Sequence, residues 1–286
     1  MKYTRLLIAI SILALLASAC VIVNPMPRST SGAPTEVPIS IDVPSGKGPV
    51  NLNIKFPAGS FELTTGSSKL VEGMARFTHE RYAPVIEHTV ADTFTLRTDR
   101  TRLKDFPSDN ESNTWNLILG NHPLNLSIEI GAYDGNMPFD NYALQKLEIR
   151  EGASRSQVKF TAQNKLEMES FSYQTGASNL EITGVGYTST SNFKFEGGAG
   201  NYRIDFSGDL TKDLNADVRV GLGATKLIFP ADRNVIVDVT SGLNSINTVG
   251  SWSIDGKTYS KTGNPGPTIK VFIESGAGTL DLIAGD

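Results

Sequence analysis

The chain has 286 residues, 20% of them charged and 8% aromatic, with a formal net charge of −4. That length fits one large domain or two small ones. Mild acidity with scattered Lys and Arg argues against a phosphate-backbone partner, so no nucleic acid is expected, and a single cysteine excludes an intrachain disulfide or a Cys-rich zinc site.

The chain opens with "MKYTRLLIAISILALLASAC": Lys2 and Arg5, an apolar run from Leu6 to Leu16, then small residues before Cys20. The run is too short to span a bilayer and reads as a secretory signal. "ASAC" resembles the lipobox of bacterial lipoproteins, whose cysteine is acylated and becomes the mature N-terminus. The resemblance implies a signal peptide over 1–19, a lipidated Cys20 as the membrane contact, and an extracytoplasmic location. Two or three acyl chains anchor stably where one, at about 0.8 kcal/mol per buried CH₂, does so marginally. Residues 20–49 carry Pro25, Pro27, Pro34, Pro38, Pro44 and Pro49 among Ser, Thr and Gly. They read as an extended tether, in which only "VPISIDV" fits a docked strand.

From Val50 onward apolar residues alternate with polar ones, as in "VNLNIKF" and "WNLILG", and no long amphipathic helix is present. An all-β fold follows, with an N-terminal β region over 50–120 and repeats over 121–286. Glycine turns recur at Gly131, Gly152, Gly176, Gly198, Gly223, Gly242 and Gly276, with Gly59 an earlier relative. A period near twenty without helices predicts a β-solenoid of stacked, parallel, β-helix-like rungs behind an N-terminal capping region. Hairpins in a meander also use glycine turns and are the alternative. In a solenoid each glycine serves a corner that every rung must turn, and a branched residue at Ala199 should overpack the next corner. The C-terminal rung, ending in "TLDLIAGD", is expected to be a weak or interacting end. It is either capped by the insertion 250–267 or paired with another copy or a partner.

The order "PAGSFELTTGSSKLVEGMARFTHE", "NTWNLILGNHPLNLSIEIGA", then the "GAS", "GAG" and "ESGAGTLDL" turns resembles the bacterial toast-rack family. That family is related to C-terminal domains of some cell-wall stress regulators and to adhesin-like β-helix proteins. The resemblance covers nearly all of residues 48–286 and implies a stacked β architecture outside the cytoplasmic membrane. It supplies no catalytic motif. "GAYDGN" and the long insertion before Gly276 depart from the pattern.

The outward positions Lys159, Glu181, Arg203, Asp205, Lys226 and Asp281 mix signs and read as a solvated charge ladder, not a catalytic carboxylate cluster. Asp105, Asp109, Asn110 and Glu111 share one loop without the order of a calcium loop. His79, His88 and His122 are far apart, and no cofactor is expected. Trp115 alternates with Leu117 and Leu119 as a core residue. Trp252 and Tyr259, in the insertion, mark the candidate binding loop or a cap. The expectation is a non-enzymatic, lipid-anchored envelope protein that binds, scaffolds or senses, with an envelope protein or polysaccharide as partner. The rivals are a carbohydrate-active β-helix enzyme and an end-to-end assembling structural protein.

Overall fold

The computed structural model describes residues 33–46, 48–89, 92–98 and 111–285. The signal peptide, Cys20, the first part of the tether, Asp105, Asp109, Asn110 and Asp286 lie outside the described residues. The strands are β1 (Thr35–Ile41), β2 (Val50–Ser67), β3 (Val71–Phe77), β4 (Pro84–Thr89), β5 (Thr93–Thr98), β6 (Asn113–Gly120), β7 (Leu124–Phe139) and β8 (Leu144–Phe160). They continue with β9 (Ser170–Thr183), β10 (Asn192–Asp205), β11 (Leu214–Phe229), β12 (Asn234–Val249), β13 (Ser253–Asp255), β14 (Thr258–Lys261) and β15 (Thr268–Ala284).

The repeats are rungs of a β-solenoid, each one long strand bent at its glycine corner. β2, β7, β8, β9, β10, β11, β15 and β12 pair in parallel, in that spatial order. Both arms of a rung send alternate residues inward. In β10, Phe193 and Phe195 before the corner and Tyr202 and Ile204 after it are at most 2% exposed. The arms meet across the core, with the rings of Phe195 and Tyr202 5.1 Å apart. Neighbouring rungs join through aromatic contacts from Phe139 to Phe160, Phe171, Phe193, Phe206 and Phe229, with centroids 4.9–6.0 Å apart. Trp115 is fully buried against Phe56, as its alternation predicts.

The N-terminal region continues this sheet. β2 pairs in parallel with β7 from Val50 to Glu62, so residue 120 does not separate two bodies. β6 joins the second arm of β2, and β3 and β1 follow antiparallel. Within the stretch expected as a tether over 20–49, Thr35–Ile41 is a docked strand, as "VPISIDV" allows. Ile39 and Ile41 bury their side chains from β1. Pro38 is tolerated because β1 ends the sheet, where a missing N–H breaks no ladder.

The corner glycines are required by close approach. A Cβ at Gly152 would lie 2.4 Å from the carbonyl oxygen of Gly131. At Gly176 it would lie 2.6 Å from that of Gly152, and at Gly198 2.3 Å from that of Gly176. Gly221, Gly276 and Gly242 continue the column at 2.4–2.5 Å. The position equivalent to Gly198 is therefore Gly221. Gly223 belongs to a second column, Gly200–Gly223–Gly278, where φ is also positive (157°, 126° and 142°). Gly59 likewise lies past its corner, which is Pro57 in β2. The expectation at Ala199 is corrected. Leu222 holds the same register position, 58% exposed, so that side chain points away from the next corner.

The second column follows a strand order that the sequence order hides. Opposite Gly223 the backbones run close, and a Cβ on the β15 residue there would lie 1.8 Å from the Gly223 oxygen. β15 supplies Gly278, whereas β12 carries Asn244 at that register. β15 also sends fully buried Leu280 and Leu282 inward, where β12 has Ile246 and Thr248. β15 inserts between β11 and β12, and the expected terminal rung is an interior one. The end rung is β12, whose first arm is covered by the β13–β14 hairpin of the insertion. Gly198→Ala should lower stability by about 1–3 kcal/mol through overpacking against backbone, while Ala199→Leu should stay within about 0.5 kcal/mol. Denaturant midpoints of the two variants check this.

Candidate functional site

Because every rung from β7 to β12 has glycine at the corner, the stack carries an exposed strip of backbone with no side chains along it. This strip floors a shallow groove of about 990 Å³ that runs over Gly176, Gly198, Gly221, Gly276 and Gly242. A second groove of about 470 Å³ shares Arg150 and Glu151 with it and reaches past Gly131 to Arg97. With rungs about 4.8 Å apart, the floor repeats once per strand spacing.

One outward row borders the floor, two residues before each corner. In stack order it reads Lys55, Glu129, Arg150, Gln174, Glu196, Arg219, Glu274 and Thr240. Period-two alternation puts the row outside, and parallel register aligns it from strand to strand. The signs alternate, and several members are paired. Lys55 Nζ lies 2.9 Å from Glu129, and Gln174 donates to Glu196 at 2.7 Å. Lys194, 2.6 Å from Glu196, and Gln174 hold that carboxyl below its ordinary range. Arg150 and Arg219 pair along their own strands with Glu148 at 2.5 Å and Asp217 at 2.9 Å.

Beneath the floor lies a buried polar column that sequence periodicity does not reveal, since its members occupy inward positions next to the corner. Tyr173 donates its hydroxyl to Glu151 at 2.7 Å and Ser154 does so at 2.5 Å. Ser156 lies 3.4 Å from the Tyr173 hydroxyl. Glu151 is 8% exposed and lines both grooves. Burial raises the Tyr133, Tyr173 and Tyr202 hydroxyls above their ordinary pKa. The only signal in the sequence is the odd Glu in "IREGAS", where other rungs have an apolar or small residue.

The predicted site residues are dispersed. Trp252 and Tyr259 are partly buried, each packed against the core near the β12 end of the sheet. Trp252 packs edge-on against Phe229 at 5.7 Å and donates Nε1 to the Val249 carbonyl. Tyr259, on β14, pairs with Val237 and packs against the core. Both therefore close the end of the stack. Glu111 is the described member of its loop. It bridges Arg81 and accepts from Tyr82 at 2.9 Å, which is a structural tie. His88 stacks on Phe94 at 4.4 Å. Glu181 pairs with Arg203 at 3.1 Å, as a charge ladder would. Among the described residues, no group of three or more His, Cys, Asp or Glu is placed to hold a metal ion, and no helix is long and apolar enough to cross a membrane.

The buried tyrosines set a pH dependence. Their raised pKa means that the native state keeps protons that the unfolded chain releases. The stability they contribute is present below the ordinary tyrosine value of about 10 and is lost as pH rises from there. Alkaline titration should show the buried fraction of tyrosinate absorbance appearing together with loss of β-sheet circular dichroism, and not before it.

Comparison with known proteins gives a family and several similar structures. No curated protein matches the chain. Among solved structures, a "putative cell adhesion protein" from Clostridium sporogenes is 17% identical, with a TM-score of 0.46 over 88% of this chain and 100% of that one. A "putative adhesin" from Parabacteroides merdae is 13% identical, with a TM-score of 0.42 over 88% and 96%. A "putative lipid binding protein" from Parabacteroides distasonis is 14% identical, with a TM-score of 0.37 over 87% and 97%. The family profile for the N-terminal domain of toast_rack (DUF2154) matches residues 32–183, which run from the approach to β1 to the end of β9. With more than half of its length matched, the chain belongs to the toast-rack family.

Proposed function

We propose that this protein is a non-enzymatic, lipid-anchored component of the cell envelope whose corner groove holds a linear polar ligand, in the manner of an adhesin. The observation that carries this reading is the glycine floor bordered by a row of alternating charge. A floor that repeats every rung suits a polymer lying along the stack better than a compact metabolite. Alternating signs suit a polysaccharide bearing both hydrogen-bond donors and anionic groups. An extended glycan adds polar groups at a pitch close to the rung spacing, so each added unit meets an equivalent site. Binding is then a sum of weak contacts that grows with ligand length.

The reading without catalysis rests on the pairing of most carboxylates near the groove, with Glu274 beside Arg219 across the ladder. Glu129, Glu196 and Glu148 are each engaged with Lys55, Lys194 and Arg150. An acid–base pair flanking a scissile bond needs two carboxylates in distinct environments with access to substrate. Glu151 is bound up with Tyr173 and Ser154.

Two measurements check the proposal. The Arg150→Ala, Arg219→Ala double variant should bind a linear envelope polysaccharide about tenfold more weakly, a loss of about 1.4 kcal/mol. Calorimetry across a length series of oligosaccharides reads this, and unchanged affinity would remove the groove from consideration. Cys20→Ser should move the protein from the membrane to the soluble fraction, and membrane retention would rule out acylation as the anchor.

A further inference from the structure

The sheet ends are treated unequally. At the N-terminal end, β1 carries Glu36 and Pro38, with Glu36 bonded to Arg76 at 2.7 Å. Charges and proline on an edge oppose pairing with another chain. At the other end, β14 covers β12 only from Val235 to Asp238. Past that point the outer side of β12 has no strand beside it among the described residues. From Val239 to Ile254 the sequence contains no Asp, Glu, Lys, Arg or Pro. A long, uncharged edge without a cover is the feature that soluble proteins avoid unless the edge is paired.

A second observation points to the same place. The outward row near the end of the second arm runs through Lys159, Thr183 and Asp205 on β8, β9 and β10. It then turns apolar at Ile228, Ile283 and Val249. Val249 is 55% exposed, and Ile254 in the adjoining hairpin is 57% exposed. Apolar surface therefore gathers beside the unguarded edge, where a partner strand would cover it.

We infer that Ser241–Val249 of β12 pairs with the same segment of a second copy of this chain, as a two-fold antiparallel strand addition that joins two solenoids at their hairpin ends. The edge has no net sign to select a charged partner. The plainest ladder it can meet is its own, because β1 offers Glu36 and Pro38, β4 offers Pro84 and Glu87, and β13 ends in Asp255. Pairing of like with like is isologous and closes at two copies, whereas end-to-opposite-end pairing would grow a fibre.

The test uses the full chain and a double variant, Ser245→Lys with Val249→Lys, which puts like charges on two exposed positions of the edge. Asn136→Lys, an exposed change on β7, is the control. Sedimentation equilibrium over a concentration series should give a dimer for the wild type and for Asn136→Lys. The edge variant should be a monomer of unchanged melting temperature. Amides of residues 241–249 should exchange more slowly as the wild-type concentration rises. A monomeric wild type, a dimer that survives both lysines, protection that is independent of concentration, or an open-ended polymer would each overturn the inference.

Discussion

The contact on which the rest depends is a Cα hydrogen facing a carbonyl oxygen. At each corner the backbone of one rung passes so close over the rung below that no side chain fits between them. A parallel stack fixes the rise per rung. With the rise fixed, the bend can be sharp only where a Cβ is missing. One column of glycine then serves three purposes. It allows two arms to fold against each other around a single layer of core, it holds neighbouring rungs in register, and it leaves the corner bare on the outside. The groove is the outer face of the same restriction that packs the core.

The core shows why this works in a chain of ordinary composition. Each rung contributes only a few inward side chains, and none could bury them alone. Stacking lets the phenyl rings of one rung lie against those of the next, from Phe139 to Phe229. Trp252 ends the series by covering Phe229 from the hairpin. The price of such a ladder is an exposed last member, and the insertion meets it with one indole and one short hairpin instead of a full capping rung.

Much of this was legible in the sequence, because alternation and glycine spacing report local geometry. Phe193, Phe195, Tyr202 and Ile204 could be placed inside from their period alone, and the parallel stack followed from the repeat. What escaped was whatever depends on the neighbour across the ladder. Gly221 and Gly223 both look like corner residues in "VGLGAT", and only register shows which one stands over Gly198. Ala199 looks confined until Leu222 is seen beside it, pointing outward. The polar column around Glu151 was hidden because inward polar residues look like interruptions of a pattern. The docking of Thr35–Ile41 was legible in "VPISIDV", and its edge position is what removes the objection to Pro38. The interior position of β15 was unreadable from spacing, since chain order and spatial order part after β11.

That parting has a consequence for how the protein is made. As the chain emerges from the ribosome, β12 and its hairpin appear before β15, yet β12 has no parallel neighbour until β15 arrives. The two strands that flank the gap cannot pair across it, because they stand two strand spacings apart. The rungs up to β11 can therefore form in chain order, while β12, its hairpin and β15 close together in one late step. A message cut short after residue 267 would not yield a solenoid one rung shorter. It would leave β11 as an unfinished face and release β12 and the hairpin as loose chain, a product that proteases would readily distinguish from the finished protein.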